Sequence, residues 1–360
     1  MNIPYFTENL LQWYPENKRD LPWRNTNDPY IIWLSEIILQ QTRVAQGLPY
    51  FDLFLEKFPT IFDLAKAPES EVLRAWQGLG YYSRARNLHR CAQDIVSQYQ
   101  GVFPDNYMEL TKLTGIGTYT AAAIASFAYK EKIAVLDGNV FRVLSRFFGI
   151  KEDISSSKGK KSFQILANKI IPSEVPDTYN QAIMEFGALQ CVPKNPDCAC
   201  CPLQLGCWAY HHKMVSLLPL KNKKTKTRER YFIYFHIRCG DWTVINKREK
   251  KDIWNGLVDF PLKEVESYQE LLEATPENMS GVDRLREIGA VFDFENEKPR
   301  KHLLTHQRIY ASFAKLYLPI SGVENLKDWA YRNQYDLATD TQLEVLGKPK
   351  LIVEYLNQIK

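Results

Sequence analysis

The chain has 360 residues, more than one hydrophobic core usually serves, so two domains are expected. At 45% hydrophobic and 24% charged with a formal net charge of +4, it is neither disordered nor fibrous, and its mild basicity fits a polyanionic partner without requiring one. No apolar run approaches the roughly 18 residues of a membrane span, and "MNIPYFTENLLQWYPENKRD" lacks the pattern of a secretory signal. The expected setting is cytoplasmic, where clustered cysteines more often bind metal or do redox chemistry than pair as disulfides.

Helical patterns broken by short Gly, Pro, Asn and Asp turns run from residue 1 to about 215 and predict an all-α domain. "LPWR" (Leu21 to Arg24) leads into "PYIIWLSEIILQQTRVAQGL", where Glu36 sits among Ile32, Ile37, Ile38 and Leu39, with Ser35, Gln40 and Gln41 as its polar neighbours. A carboxyl in such a setting has a raised pKa and suits general-acid work, although a glutamate on the wet face of an amphipathic helix gives the same pattern. "ESEVLRAWQGL" and "SRARNLHRCAQDIVSQYQ" continue the helices. In "LTGIGTYTAAAIASFAY", Gly115 and Gly117 permit a tight turn before a helix whose first N–H groups attract an anion. "VLDGNVFRVLSR" puts Asp137 where a helix N-cap is expected. "SFQILANKII" and "TYNQAIMEFGALQC" complete the helical run.

"CVPKNPDCACCPLQLGC" carries five of the seven cysteines. Cys191, Cys198, Cys201 and Cys207 form C-x6-C-x2-C-x5-C, a thiolate set for zinc or a 4Fe-4S cluster. With a single C-x2-C pair, the iron-sulfur reading is preferred. Cys200 is left over, His211 and His212 read as surface residues, and Cys91 and Cys239 as small buried hydrophobes. The basic stretch at 216–229, "LPLKNKKTKTRER" and its flanks, reads as a solvated linker. From 230 to 360 the pattern changes: "YFIYFHIRC", "WTVINKRE" and "IWNGLVDFP" at strand length, then the helical "VESYQELLEA", predict an α+β domain.

The cysteine spacing at the end of an all-helical domain, with the L-x-G-x-G hairpin, resembles the endonuclease III superfamily of helix-hairpin-helix DNA glycosylases. "WLSEIILQQT" (Trp33 to Thr42), "GLGYYSRARNLH" (Gly78 to His89) and "LPWR" are similar to its adenine DNA glycosylase (MutY-like) branch. The resemblance implies one 4Fe-4S cluster held by the four cysteines, with a monovalent or divalent cation at the hairpin as a further candidate. It also implies that Lys194 faces a phosphate and that the cluster organises a DNA-contacting loop. Glu36 and Asp137 become catalytic, as general acid and as stabiliser of positive charge on the sugar, with Tyr119 and Asn139 positioning groups. Trp23, Arg24 and Gln181 line the adenine pocket, while Gln41, Thr42, Tyr81, Gly115 and Gly117 contact DNA. Tyr119 stands where lyase relatives carry a nucleophilic lysine, and Phe141 where some members have a lysine able to trap the abasic product.

In that branch the C-terminal domain has a MutT (Nudix)-like fold that recognises 8-oxoguanine. "IWNGLVDFP" is similar to its signature, and "KHLLTHQ" places Leu304, Thr305 and His306 in its recognition loop. "DRLREIGAVFDF" has too few glutamates for magnesium-dependent hydrolysis. The implied protein is a monomer that excises adenine opposite 8-oxoguanine or guanine in double-stranded DNA and leaves an abasic site. Two rivals stay open: an endonuclease III-like glycosylase/lyase and a non-catalytic iron-sulfur DNA-binding protein.

Overall fold

The computed structural model describes residues 3–222, 227–248, 252–273, 283–287, 289–293, 298–304 and 306–359. The chain divides into two compact units, Met1–Ala67 with Arg86–Lys223, and Pro68–Ala85 with Lys224–Lys360. Residues 68–85, expected in the helical domain, thus group with the C-terminal unit. The reason is local: Tyr82 donates its hydroxyl to the Lys348 carbonyl at 3.0 Å, and Leu73 lies against Gly347.

The helices in chain order are α1 Ile3–Asn17, α2 Pro29–Leu39, α3 Val44–Lys57, α4 Ile61–Lys66, α5 Glu69–Ala75, α6 Ser83–Tyr99, α7 Tyr107–Leu110, α8 Thr118–Tyr129, α9 Gly138–Phe148, α10 Ser157–Ile170, α11 Pro176–Leu189 and α12 Trp208–His211. In the first unit, α2 starts where the Asp28 side chain accepts from the Tyr30 N–H and Pro29 occupies the first turn, and it is buried nearly all round. Its partner α8 buries Thr120 through Phe127. A separate core gathers Phe6 and Leu10 of α1, Val143 and Phe147 of α9, Phe163 of α10, and Ile183 and Phe186 of α11. Each such side chain contributes about 1.5–3 kcal/mol of burial.

The expected linker begins later than the sequence suggests and ends sooner. Leu218 is buried and its carbonyl accepts from Arg146, while the Leu220 carbonyl accepts from the Ile154 N–H. At the other end, the first strand already starts at Arg228.

The second unit holds β1 Arg228–Cys239, β2 Trp242–Lys247, β3 Val258–Asp259, β4 Leu262–Val265, β5 Val291–Asp293, β6 Arg300–Leu303, β7 Gln307–Leu318 and β8 Asp336–Thr339, with α13 Tyr268–Leu272, α14 Asp283–Glu287, α15 Val323–Arg332, α16 Asp340–Val345 and α17 Lys350–Ile359. The sheet order is β3-β2-β1-β7-β5. β1 runs parallel to β7 from Arg228 opposite Gln307 to Cys239 opposite Leu318, and antiparallel to β2 and β4. Alternate residues of β1 serve opposite faces, as a pleated strand requires. Ile233, Phe235 and Ile237 pack with Leu326 and Trp329 of α15, whereas Phe232 and Tyr234 pack with Ile352 and Tyr355 of α17. "IWNGLVDFP" is a turn, with Trp254 at φ 62°, followed by the two-residue β3; its apolar residues anchor a corner instead of extending a strand.

Candidate active site

A cavity of about 190 Å³ opens in the first unit, lined by residues from η1 (Pro22–Arg24), α2, α8, the start of α9 and α11. Such a volume takes one planar heterocycle and not a base pair. Trp23, Arg24, Glu36, Tyr119, Asp137, Asn139 and Gln181 all line it, so residues separated by up to 158 positions in sequence converge on one space. Among the described residues that line it there is no lysine.

Glu36 projects from the buried helix α2. Its carboxyl pKa is pushed up to about 7, chiefly by burial, with the Asp137 charge adding and the Tyr119 hydroxyl and Arg24 guanidinium opposing. Tyr119 donates to it and stays neutral, its own pKa driven far up by burial and by the two carboxylates. The polar partner of Glu36 is therefore Tyr119. The expected neighbours point elsewhere, Ser35 to the Ile32 carbonyl at 2.7 Å and Gln40 to Thr120 at 3.3 Å.

Asp137 is the N-cap of α9, accepting from the Val140 N–H at 2.7 Å, while its other oxygen accepts from the Asn139 amide at 2.7 Å. Burial raises its pKa; the Val140 and Asn139 donors and the Arg142 guanidinium work against that rise. Asn139 in turn accepts from Arg142 at 2.8 Å, and Arg142 also donates to the carbonyls of Gly187 at 2.6 Å and Cys191 at 2.7 Å. At this crossing α11 passes so close to α9 that a Cβ on Gly187 would lie 2.6 Å from the Asn139 Cβ.

On the far wall, Glu185 is 1% exposed. Burial alone would raise its pKa, but hydrogen bonds from Arg19 and Arg24 bring it down to about 2. Arg19 gives it a backbone N–H and two guanidinium bonds, and Arg24 a third guanidinium bond at 2.7 Å. Arg142, Glu185 and Arg19 were missed in the sequence; the available signal was charge at apolar positions of amphipathic helices, Arg142 and Arg146 both falling within the buried stripe of α9.

None of the described residues expected to contact DNA is in the cavity lining. Gln41 and Tyr81 are exposed in left-handed conformations, φ 58° and 51°. Thr42 follows Gln41 in the turn after α2, its N–H bonded to the Leu39 carbonyl at 3.0 Å. Gly115 turns at φ 76° with Asn87 packed against it, and Gly117 caps α8 without a side chain, leaving that helix start open. His306 is exposed, and its carbonyl accepts from the Arg228 N–H. Thr305 lies outside the described residues.

Cys191, Cys198, Cys201 and Cys207 sit in one loop, and Cys200 beside them is exposed. The Cys201 thiol is pushed up to about 12 by burial and by the facing Cys191, Cys207 and Cys198, against the Leu203 N–H. The Cys198 and Cys207 thiols are raised by burial and by Cys191 as well. Arg146 reaches into this loop, donating to the Cys191 sulfur at 3.3 Å and to the carbonyls of Val192 at 2.8 Å and Pro193 at 3.1 Å. Tyr5 donates to the Pro202 carbonyl at 2.8 Å. Among the described residues no three His, Cys, Asp or Glu side chains are grouped around a single metal ion. No described helix is long and apolar enough to cross a membrane.

Residues 34–169 match the HhH-GPD superfamily of base excision DNA repair proteins. An adenine DNA glycosylase of Buchnera aphidicola subsp. Baizongia pistaciae is 34% identical over 362 residues, covering 100% of this chain and 98% of that protein. Another, from the subspecies of Schizaphis graminum, is 38% identical over 262 residues, 72% of this chain and 76% of its own length. The human adenine DNA glycosylase is 42% identical over 216 residues, 58% of this chain and 40% of that protein. Among solved structures, a thermostable thymine-DNA glycosylase superposes with a TM-score of 0.55 at 30% identity, over 58% of this chain and 97% of its own. An endonuclease III in a non-covalent DNA complex gives 0.51 at 24% identity, over 59% and 96%, which speaks for the fold alone.

Proposed function

Since this chain belongs to the adenine DNA glycosylase family, within the HhH-GPD superfamily of base excision repair proteins, we propose that it is a monofunctional enzyme that removes adenine opposite 8-oxoguanine or guanine from double-stranded DNA. The observation that carries this reading is the pairing of Glu36 and Asp137 on one base-sized cavity with Tyr119 between them.

The adenine is turned out of the duplex into the cavity, at a cost of a few kcal/mol for unstacking. Trp23, Arg24 and Gln181 hold it there. Glu36, protonated near neutral pH, gives its proton to N7 and makes the base a better leaving group. Tyr119 aims that carboxyl. Asp137 then stabilises the oxocarbenium-like sugar, and water completes an abasic product with the strand uncut. The lining contains no imine-forming amine, and Phe141 packs edge-on against Phe163 with centroids 5.1 Å apart, turned into the core.

Gln41 and Thr42 hold the duplex where the base leaves, Tyr81 is a further DNA contact, and the open start of α8 behind Gly115 and Gly117 takes a backbone phosphate, with or without a bridging cation. The C-terminal unit, with its mixed sheet between helices, acts as the MutT-like reader of 8-oxoguanine through the loop around His306. The domain plan is a helical catalytic domain that runs to about residue 220, a short basic linker that ends before Arg228, and the reader from Arg228 onward, with which residues 68–85 group. The protein works as a cytoplasmic monomer on chromosomal DNA.

The four cysteines suit a 4Fe-4S cluster: they lie half-buried in one loop, and thiolates that face one another there would need a cationic centre. Such a cluster would be held by Cys191, Cys198, Cys201 and Cys207, would fix the loop that carries Lys194 and would take no part in cleaving the glycosidic bond. Elemental analysis of the purified protein is expected to find iron; zinc in its place would overturn this assignment.

Duplexes with adenine opposite 8-oxoguanine, guanine or thymine test the activity. After alkaline cleavage, strand breaks at adenine are expected in the first, fewer in the second, and borohydride should trap no covalent complex. Inertness on all three would sink the reading, and efficient trapping would restore the lyase rival.

A further inference from the structure

We infer that Tyr14 decides which purine the cavity accepts, by fixing the orientation of the Gln181 amide. The inference rests on the adenine-excising reading above and carries it to the basis of selectivity.

Tyr14 lies on α1, is 4% exposed, and belongs to the core that α1 shares with α9 and α11. Its hydroxyl donates to the Gln181 Oε1 at 2.7 Å. Burial keeps the phenol neutral by raising its pKa, so this donor persists at every working pH. With the carbonyl oxygen tied to Tyr14, the amide that lines the cavity offers its N–H groups. One turn along α11, Glu185 has committed its two oxygens to Arg19 and Arg24. On this wall the Glu185 oxygens are already taken up, and what faces the cavity as a donor is the Gln181 amide beside the Arg24 guanidinium.

Purines differ in how they meet such a wall. Adenine carries an unprotonated N1 acceptor and an exocyclic amine that donates; hypoxanthine and guanine carry an N1–H donor and an oxygen at C6. The Gln181 N–H cannot face the amine. Of adenine's ring acceptors, N7 receives the Glu36 proton, and N3 is the same in all three bases. Facing N1, the Gln181 donor accepts adenine and opposes the N1–H of a 6-oxopurine. An amide free to turn over would offer Oε1 and welcome that N1–H. Turned over, the amide would take away the acceptor of the buried Tyr14 O–H, so Tyr14 disfavours the second orientation, which makes it a positioning residue for base choice and not a catalytic one.

The test compares single-turnover excision of adenine and of hypoxanthine, each opposite 8-oxoguanine, by the full-length protein and by Tyr14→Phe, Gln181→Met and the double variant. Tyr14→Phe keeps the ring in its core site, and its thermal midpoint is checked alongside. The hypoxanthine-to-adenine ratio is expected to rise about tenfold in Tyr14→Phe, the scale of one lost buried hydrogen bond. It should rise also in Gln181→Met, and adding Tyr14→Phe to Gln181→Met should change it no further. Equal losses on both bases, or a Tyr14 effect that persists undiminished without Gln181, would reduce Tyr14 to packing and overturn the inference. Failure of the unaltered protein to excise adenine would instead sink the functional reading beneath it.

Discussion

Replacing Glu36 by glutamine is expected to stop adenine excision and, above neutral pH, to make the protein more stable. The amide keeps the shape and can still accept from Tyr119, but it has no proton to give, so the rate should fall by about 10²- to 10⁴-fold. The stability gain follows from the raised pKa. With a folded value of about 7 against 4.5 for the free group, the native state holds a proton that the unfolded chain has already lost in that window. Stability from this group therefore declines as pH rises from 4.5 to 7 and stays low above it. Removing the carboxyl should recover up to about 3 kcal/mol at pH 8 and nothing near pH 4. Activity of the unaltered enzyme should fall as pH climbs through about 7, because the acid form of Glu36 disappears. On the acid side the limb belongs to Asp137, which must be ionised and whose pKa burial has raised above the usual carboxylate value. Glu36→Gln with an unchanged rate, or with lower stability at pH 8, would remove Glu36 from the role given it.

Arg142→Met is expected to cost both fold and rate. The guanidinium is 8% exposed and supplies the Asn139 side chain and the carbonyls of Gly187 and Cys191. Methionine fills much of the space but donates nothing, leaving buried acceptors unpaired at a combined cost of about 3–4 kcal/mol. Lysine should rescue little, since one ammonium cannot reproduce a planar fork. Asn139 would then be released from one side while still bonded to Asp137 on the other, so excision should slow by roughly 10- to 100-fold, the scale of a displaced catalytic group. The cysteine loop loses an anchor in the same step, and iron content should drop. Thermal unfolding, iron analysis and single-turnover rates together check this; a variant that loses iron yet excises at the normal rate would separate the loop from the chemistry.

Local features were the ones legible in the sequence. Glu36 drew notice as a carboxylate in an apolar setting, a pattern that a wet-face glutamate shares, and Asp137 as a helix N-cap; only the family resemblance turned either into a catalytic residue. The α-to-α+β change was equally plain, since period 3.6 gives way to period 2 near residue 230. Partners far apart in the chain were not legible. Nothing near Glu185 points to Arg19 and Arg24, more than 160 positions away, and nothing near Gln181 points to Tyr14. What Arg142 and Arg146 bond to was not legible either, because their acceptors, carbonyls of the cysteine loop, carry no sequence signal. Residues 68–85 were assigned by neighbourhood in the chain, whereas hydrogen bonding and packing assign them to the C-terminal unit.

Gly187 gives the absence of a methyl group a metric role. α11 carries Gln181 and Glu185, proposed to read the base, and Asp137, proposed to serve the sugar, caps the start of α9. The spacing between the two elements is thus gauged by backbone touching side chain: a Cβ added at Gly187 would come to 2.6 Å from the Asn139 Cβ, inside contact distance. Any residue but glycine would act as a shim there, moving the reading wall away from the glycosidic bond while every recognisable functional group remained in place.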